Sequence, residues 1–468
     1  MFSNMGLRLA GAFAALPLLC AAASAQHPRQ YTDQDYANAE KFMPYNVNPL
    51  AFKGQVKAQV LDDARFWYKA VDESGITYTM IDPAKGTKGP AFDHDKLAAA
   101  LNAIPRSHTH VDARHLYLSD LSFLENDRVL IFSGYGNTYR CDLGASRAAC
   151  ALLAASEHDG AEHEEAHVPL TLSPDKKLGA FIRAWNLWVR NLATGEDTQL
   201  TTDGVENYGY ATDNAGWKAS DSAILVWSPD STKIATFQQD QRRTGMMYLV
   251  PVTNSHPELK AWKYPLVGDK DVTMIERVII DVNARKVIRL KMPPDQHRST
   301  LCDDVACDGT AWSDVEWSPD GSHLAFVSTS RDHKQEWLRE ADAATGDVRE
   351  VMSETAPKFY ESGNGKINWR YLPKSNEILW FSERDDWGNL YLYDLKTGQL
   401  KNPISQGPGN VTQVLHIDEA KRVIYFVGVG KENDRDPYYQ HFYRVNFDGT
   451  GLRLLTPENA DQIGSAHV

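Results

Sequence analysis

The chain has 468 residues, 42% of them hydrophobic and 24% charged, with a formal net charge of −13. That is the composition of an ordinary globular protein with enough length for a large core. The acidic balance and the absence of any Lys/Arg run argue against a nucleic acid or an anionic membrane as partner.

Residues 1–25 read as a secretory signal, with Arg8 as the positive end, Leu9–Leu19 as the apolar stretch and Ala23-Ser24-Ala25 as the cleavage site. The apolar run is too short to span a bilayer. Cys20 follows Leu19 rather than the small residue that precedes a lipidated cysteine. The expected location is therefore periplasmic or secreted, after cleavage near Ala25.

Residues 26–60 form a lead-in segment, in which Tyr31–Leu50 reads as short helix or irregular chain. From residue 61 to residue 468 the pattern is β. Arg65–Lys69 and Ile76–Met80 read as strands, and Leu116–Ser133 as a strand pair around Glu125-Asn126-Asp127. Phe92–Leu101 is the clearest helix, with Asp93 at its N-cap.

A repeat then becomes explicit. Ser-Pro-Asp recurs at Ser173, Ser228 and Ser318, each time just before a β-branched or aromatic run. Proline sets φ for the first corner of a tight turn and the aspartate bonds the backbone after it, so each tetrad predicts a hairpin. A second element, NLWVRNLATG at Asn186–Gly195, returns as NLYLYDLKTG at Asn389–Gly398. The turn glycines Gly346, Gly398 and Gly449 lie 52 and 51 residues apart. Units of about four short strands at this spacing cannot bury their faces singly and stack radially, which predicts an all-β propeller of about seven blades. The blade starting at Ile224 is read as expanded by an insertion at Met246–Met292.

Four cysteines remain beyond the signal, paired as Cys141/Cys150 and Cys302/Cys307. In an exported chain the short spacings point to two local disulfides, and neither has the two-residue spacing of a zinc knuckle. His163-Glu164-Glu165-Ala166-His167 matches a zinc-peptidase pattern, but that chemistry needs a helix, and Gly160 and Pro169 flank this tract. It reads as a solvated loop, and no metal is expected. Nothing in the chain matches a Gly-rich phosphate loop or a G-x-S-x-G nucleophile elbow, so no cofactor and no serine nucleophile are expected.

Trp227–Arg243, His256–Asp269, Ser330–Lys334 and Trp387–Gly398 together resemble the N-terminal β-propeller of the prolyl oligopeptidase family, dipeptidyl peptidase IV branch. The resemblance runs from about Tyr31 to the last residue. It implies an eight-bladed propeller that caps an α/β-hydrolase domain and admits small peptides to it. Two departures follow. The family's hydrolase domain would begin beyond Val468, so this chain alone is expected to be inactive and its ring incomplete, with exposed strand edges and poor solubility. The family's Glu-Glu anchor for a free amino terminus has no counterpart, because the loop reads Tyr208-Gly209-Tyr210-Ala211-Thr212-Asp213 and its acids Glu206 and Asp213 are separated. Glu206, Tyr208, Tyr210 and Asp213 are the candidate substrate-binding residues. The expected partners are small peptides and a separate or lost hydrolase domain. The alternative reading is a stand-alone periplasmic propeller that binds a protein or glycan.

Overall fold

Each Ser-Pro-Asp tetrad closes its hairpin by the same bonds in the computed structural model of the chain. At the second, the Ser228 hydroxyl donates to Asp230 (2.6 Å) and accepts from the Lys233 amide (2.9 Å). Ser173 and Ser318 repeat the donation to Asp175 and Asp320 at 2.7 and 2.6 Å. Each turn also needs one left-handed residue, supplied by Lys176, Ser231 and Gly321.

The structure describes residues 31–47, 57–61, 63–104, 110–135, 137–144, 148–153, 170–212, 223–250, 259–296, 307–308, 311–312, 314–360 and 366–462. The signal segment, His163, His167, Asp213 and Cys302 lie outside them, and of Cys307 only the backbone strand is described.

Within these residues the hairpins assemble into seven antiparallel sheets arranged as a β-propeller, numbered here in chain order. Blade 1 runs from Gln59 to Pro90, blade 2 from Leu118 to Leu152, blade 3 from Thr171 to Gln199 and blade 4 from Tyr208 to Arg289. Blades 5, 6 and 7 run from Val315 to Thr355, Arg370 to Pro403 and Asn410 to Leu454. The first strand of each blade lies innermost, toward the central channel. Apolar clusters fill the spaces between neighbouring blades. Phe237 and Ile279 of blade 4 pack with Leu324 and Phe326 of blade 5, for example, and Leu379 and Leu392 of blade 6 with Phe426 and Val445 of blade 7.

Polar side chains grip from one blade to the next, and many reach for a main-chain carbonyl. The Trp227 indole donates to Thr171 O (3.0 Å) and Trp317 to Val226 O (3.2 Å), which ties three innermost strands together. Arg190 donates to Leu153 O (2.6 Å), Arg277 to Val327 O (3.0 Å) and Arg349 to Leu395 O (3.1 Å). Arg190 is fully buried, and its other donors form a two-point pair with Asp197 at 2.6 and 2.9 Å. The turn glycines press against the preceding blade. A Cβ on Gly398 (φ +67°) would lie 1.9 Å from Val351 O, which only glycine avoids.

The lead-in contains a helix at Asp33–Glu40, capped by Thr32, and a single helical turn at Pro44–Val47. The expected helix after residue 92 spans His94–Asn102, with the Asp93 carboxylate accepting from the Lys96 amide. The insertion in blade 4 is shorter than the sequence reading placed it. Among the described residues the added piece is the hairpin Met246–Leu249/Lys260–Lys263, whereas Met274–Asp281 and Lys286–Arg289 are the third and fourth strands of the blade itself. Cys141 and Cys150 form a disulfide between the two outer strands of blade 2.

Candidate functional site

Tyr208–Tyr210, read from sequence as irregular loop, is the start of blade 4's innermost strand. It pairs with the end of the next strand, Tyr208 opposite Asp240 and Tyr210 opposite Gln238. The chain leaves the strand at Ala211 (φ +53°) and re-enters the same sheet at Val226–Trp227. Residues 213–222, including the candidate Asp213, lie outside the description. Gly209 permits this geometry, since a Cβ there would meet Thr212 Cγ2 at 2.9 Å and the Trp185 ring at 3.3 Å.

The two tyrosines point to the same face of the sheet, as i and i+2 residues of a strand must. The Tyr208 hydroxyl donates to Glu276 (3.0 Å) and that of Tyr210 to Asp203 (2.7 Å). Arg289 joins them, donating to Glu276 (3.0 Å), Asp203 (2.9 Å), Gln238 (2.7 Å) and the Tyr210 hydroxyl (3.2 Å). Arg242 stacks on the Tyr208 ring, its guanidinium 4.0 Å from the centroid, and forms a two-point bond with Asp240. Burial, and then the carboxylate each phenol serves, raises both tyrosines above the ordinary range. They therefore remain protonated donors, suited to fixing the shape of this wall rather than to proton abstraction. Glu206 is exposed and has no side-chain partner among the described residues. The structure thus brings together Tyr208 and Tyr210, leaves Glu206 apart, and adds Arg289 and Glu276, which no local motif announces.

Where the chain departs from the strand, Thr212, Gln239 and Gln241 are buried side by side. Gln239 Oε1 accepts from Gln241 (3.2 Å) and Thr212 (3.5 Å), while Gln239 Nε2 and Gln241 Oε1 have no partner among the described residues.

A second polar cluster lies on the innermost strands of blades 5 to 7. Glu316 accepts from the Tyr371 amide (2.6 Å), stands 4.0 Å from Arg370, and borders a cavity of about 220 Å³ with Val414 and His416. Burial lifts its carboxyl to about 7, against the opposing pull of Arg370 and the Tyr371 amide. A larger cavity, of about 770 Å³, opens at the innermost strands of blades 1 and 2 beside the Ser-Pro-Asp turn of blade 3. Among the described residues, no three His, Cys, Asp or Glu side chains gather as a metal site, and no helix is long and apolar enough to cross a membrane.

Residues 124–468 match the family model described as the dipeptidyl peptidase IV N-terminal region. A protein named probable dipeptidyl-aminopeptidase B from Neosartorya fischeri is 23% identical over 319 residues, 61% of this chain and 32% of the relative. Its counterpart from Paracoccidioides lutzii is 24% identical over 318 residues, with the same coverage. In structure, the chain resembles Porphyromonas gingivalis dipeptidyl peptidase 4 with a TM-score of 0.61 at 16% identity, over 88% of this chain and 55% of that one. The chain thus spans about a third of the length of the curated relatives and just over half of the solved structure.

Proposed function

This chain belongs to the dipeptidyl peptidase IV N-terminal region family, and on that premise we propose that it is the substrate-gating propeller of an exported serine peptidase acting on small peptides. The reading assigns bond cleavage to an α/β-hydrolase domain and access to the propeller channel. The observation that carries it is the seven-bladed ring together with a family match over residues 124–468. A channel bounded by rigid blades admits extended peptides and turns folded chains away, which is how a propeller gates. With no nucleophile elbow in its sequence, the isolated chain is inactive toward peptides on this reading.

The test joins the chain to the hydrolase region of Porphyromonas gingivalis dipeptidyl peptidase 4 and follows release of a reporter from X-Pro peptides. The expected result is turnover of short peptides and none of a folded protein carrying the same amino-terminal residues. Equal cleavage of both, or turnover by the chain alone, refutes the gating role. The gene downstream of codon 468 gives a second check. A hydrolase segment with G-x-S-x-G supports the reading, whereas an unrelated gene supports a stand-alone binding propeller.

A further inference from the structure

The cavity at the inner ends of blades 1 to 3 has a charge pattern opposite to that of the whole protein. Its wall carries Lys57, Lys69 and Lys176, none of which has a carboxylate partner among the described residues. The other cation there, Arg65, is committed: its guanidinium is bonded to Asp63 (2.7 Å) and, with two contacts, to Asp127. Asp175 in the same wall is likewise occupied, by the Ser173 hydroxyl (2.7 Å) and by Lys177 (amide 3.1 Å, ammonium 3.5 Å). What remains unbalanced is three ammonium groups against Asp120, whose side-chain partner is the neighbouring Ser119 hydroxyl at 3.0 Å. In a chain of net charge −13, this is a local reversal of sign.

The rest of the wall mixes apolar side chains, Trp67 and Phe123 among them, with Gln59, Ser119 and Ser122. Trp67 and Phe123 meet edge to face at 6.4 Å, and both border the cavity. Blade 2 bends here to make room. Its innermost strand slips register between Ser119 and Ser122, and Asp120 takes φ +53°, a bulge in the part of the strand that lines the opening. Apolar rings beside a few convergent charges, in a volume of about 770 Å³, have the make-up and size of a small-ligand site.

We infer that this cavity binds an acidic peptide, with the carboxylates on Lys57, Lys69 and Lys176 and an aromatic or aliphatic side chain against Trp67 and Phe123. Lysine ammonium groups attract carboxylates as point charges without demanding one geometry, which suits peptides of varied sequence. Lys57 and Lys69 are exposed and Lys176 half-buried, so each contact is modest and the preference comes from three of them converging on one ligand. The inference is independent of the peptidase reading, because the binding belongs to the chain itself.

Calorimetric titration of the full chain with N-acetyl-Asp-Phe-Asp tests it, with N-acetyl-Asn-Phe-Asn-amide as the neutral control of equal shape. The acidic peptide should bind about tenfold more tightly than the neutral one and weaken as salt rises. The double variant Lys69→Met/Lys176→Met keeps the alkyl stems and should lose about tenfold toward the acidic peptide while binding the neutral one unchanged. Thermal melts of the variant serve as the folding check, and exposed Lys260→Met as the control for bulk charge. Equal affinity for the two peptides, or undiminished binding by the double variant, overturns the proposal. So does full displacement of the peptide by inorganic phosphate at the same concentration, which would reduce the cavity to an unspecific anion site.

Discussion

Replacing Glu316 with glutamine should stabilise the protein at alkaline pH and leave it nearly unchanged in acid. The folded environment holds the Glu316 carboxyl at about 7 against the ordinary 4.5, chiefly through burial. The folded state therefore binds this proton more tightly than the unfolded chain does. Its stabilising contribution is complete below about pH 4.5 and is lost as pH rises through 7. Such a shift corresponds to at most about 3 kcal/mol. With 26% of the side chain exposed, solvent screening reduces it, and about 1–2 kcal/mol is expected. Glutamine keeps the acceptor for the Tyr371 amide, now 2.6 Å from the carboxylate, and removes the charge. Urea unfolding of both proteins at pH 5 and pH 8 measures the difference. A gap that opens only at pH 8, with the variant more stable, is the expected result. A gap independent of pH, or a less stable variant at pH 8, would show that the ionised carboxylate is favoured at this site and refute the reasoning.

Four further perturbations test other parts of the structure. Arg190→Met removes a buried guanidinium from Asp197 and from Leu153 O, and should cost about 3 kcal/mol in unfolding experiments, since Arg183 still holds Asp197 at 2.6 Å. Gly398→Ala should cost about 3 kcal/mol, combining its left-handed backbone with the contact on Val351 O, whereas Gly86→Ala (φ +63°, nothing within 4 Å) should cost only about 1 kcal/mol. Reducing Cys141–Cys150, which closes a loop of 9 residues in sequence separation, should lower stability by about 2 kcal/mol; a non-reduced digest should also contain a Cys302–Cys307 peptide, and four free thiols would contradict both bridges. Joined to a hydrolase domain, the chain should cleave a free X-Pro-reporter and its N-acetylated form within tenfold of each other, because among the described residues Glu206 has no carboxylate beside it to fix an ammonium; a hundredfold preference for the free amine, lost in Glu206→Gln, would show an anchor built by another route.

What could be read from the sequence was whatever is held by near neighbours. The Ser-Pro-Asp hairpins were legible because Ser228, Asp230 and Lys233 bond within five residues of one another. The role of the tryptophan ahead of that tetrad was not, since Trp227 reaches a carbonyl 56 residues away. Tyr208–Tyr210 reads as a loop in the sequence because its strand partner, Gln238–Asp240, lies beyond a long excursion from the sheet. The same excursions blurred the blade 4 insertion, where the apolar run Met274–Asp281 is the blade's third strand and not part of the addition. Arg289 acquires its role from partners 13 to 86 residues distant and Glu316 from one 55 residues away, so no local pattern marks them.

Several grips between blades, those of Trp227, Trp317, Arg190, Arg277 and Arg349, end on main-chain carbonyls, and a carbonyl is the one acceptor that no substitution can remove. The donor, an arginine or a tryptophan, must be kept, but the residue it holds is free to change. Such joints tolerate wide drift on the receiving side, in keeping with relatives that share less than a quarter of their residues with this chain. They also set the rule for exchanging parts. At such a joint a transplanted blade needs to bring its own Trp227 or Arg190 and its neighbour only a strand, whereas blade 7 also needs a neighbour that keeps Glu377 for Arg422.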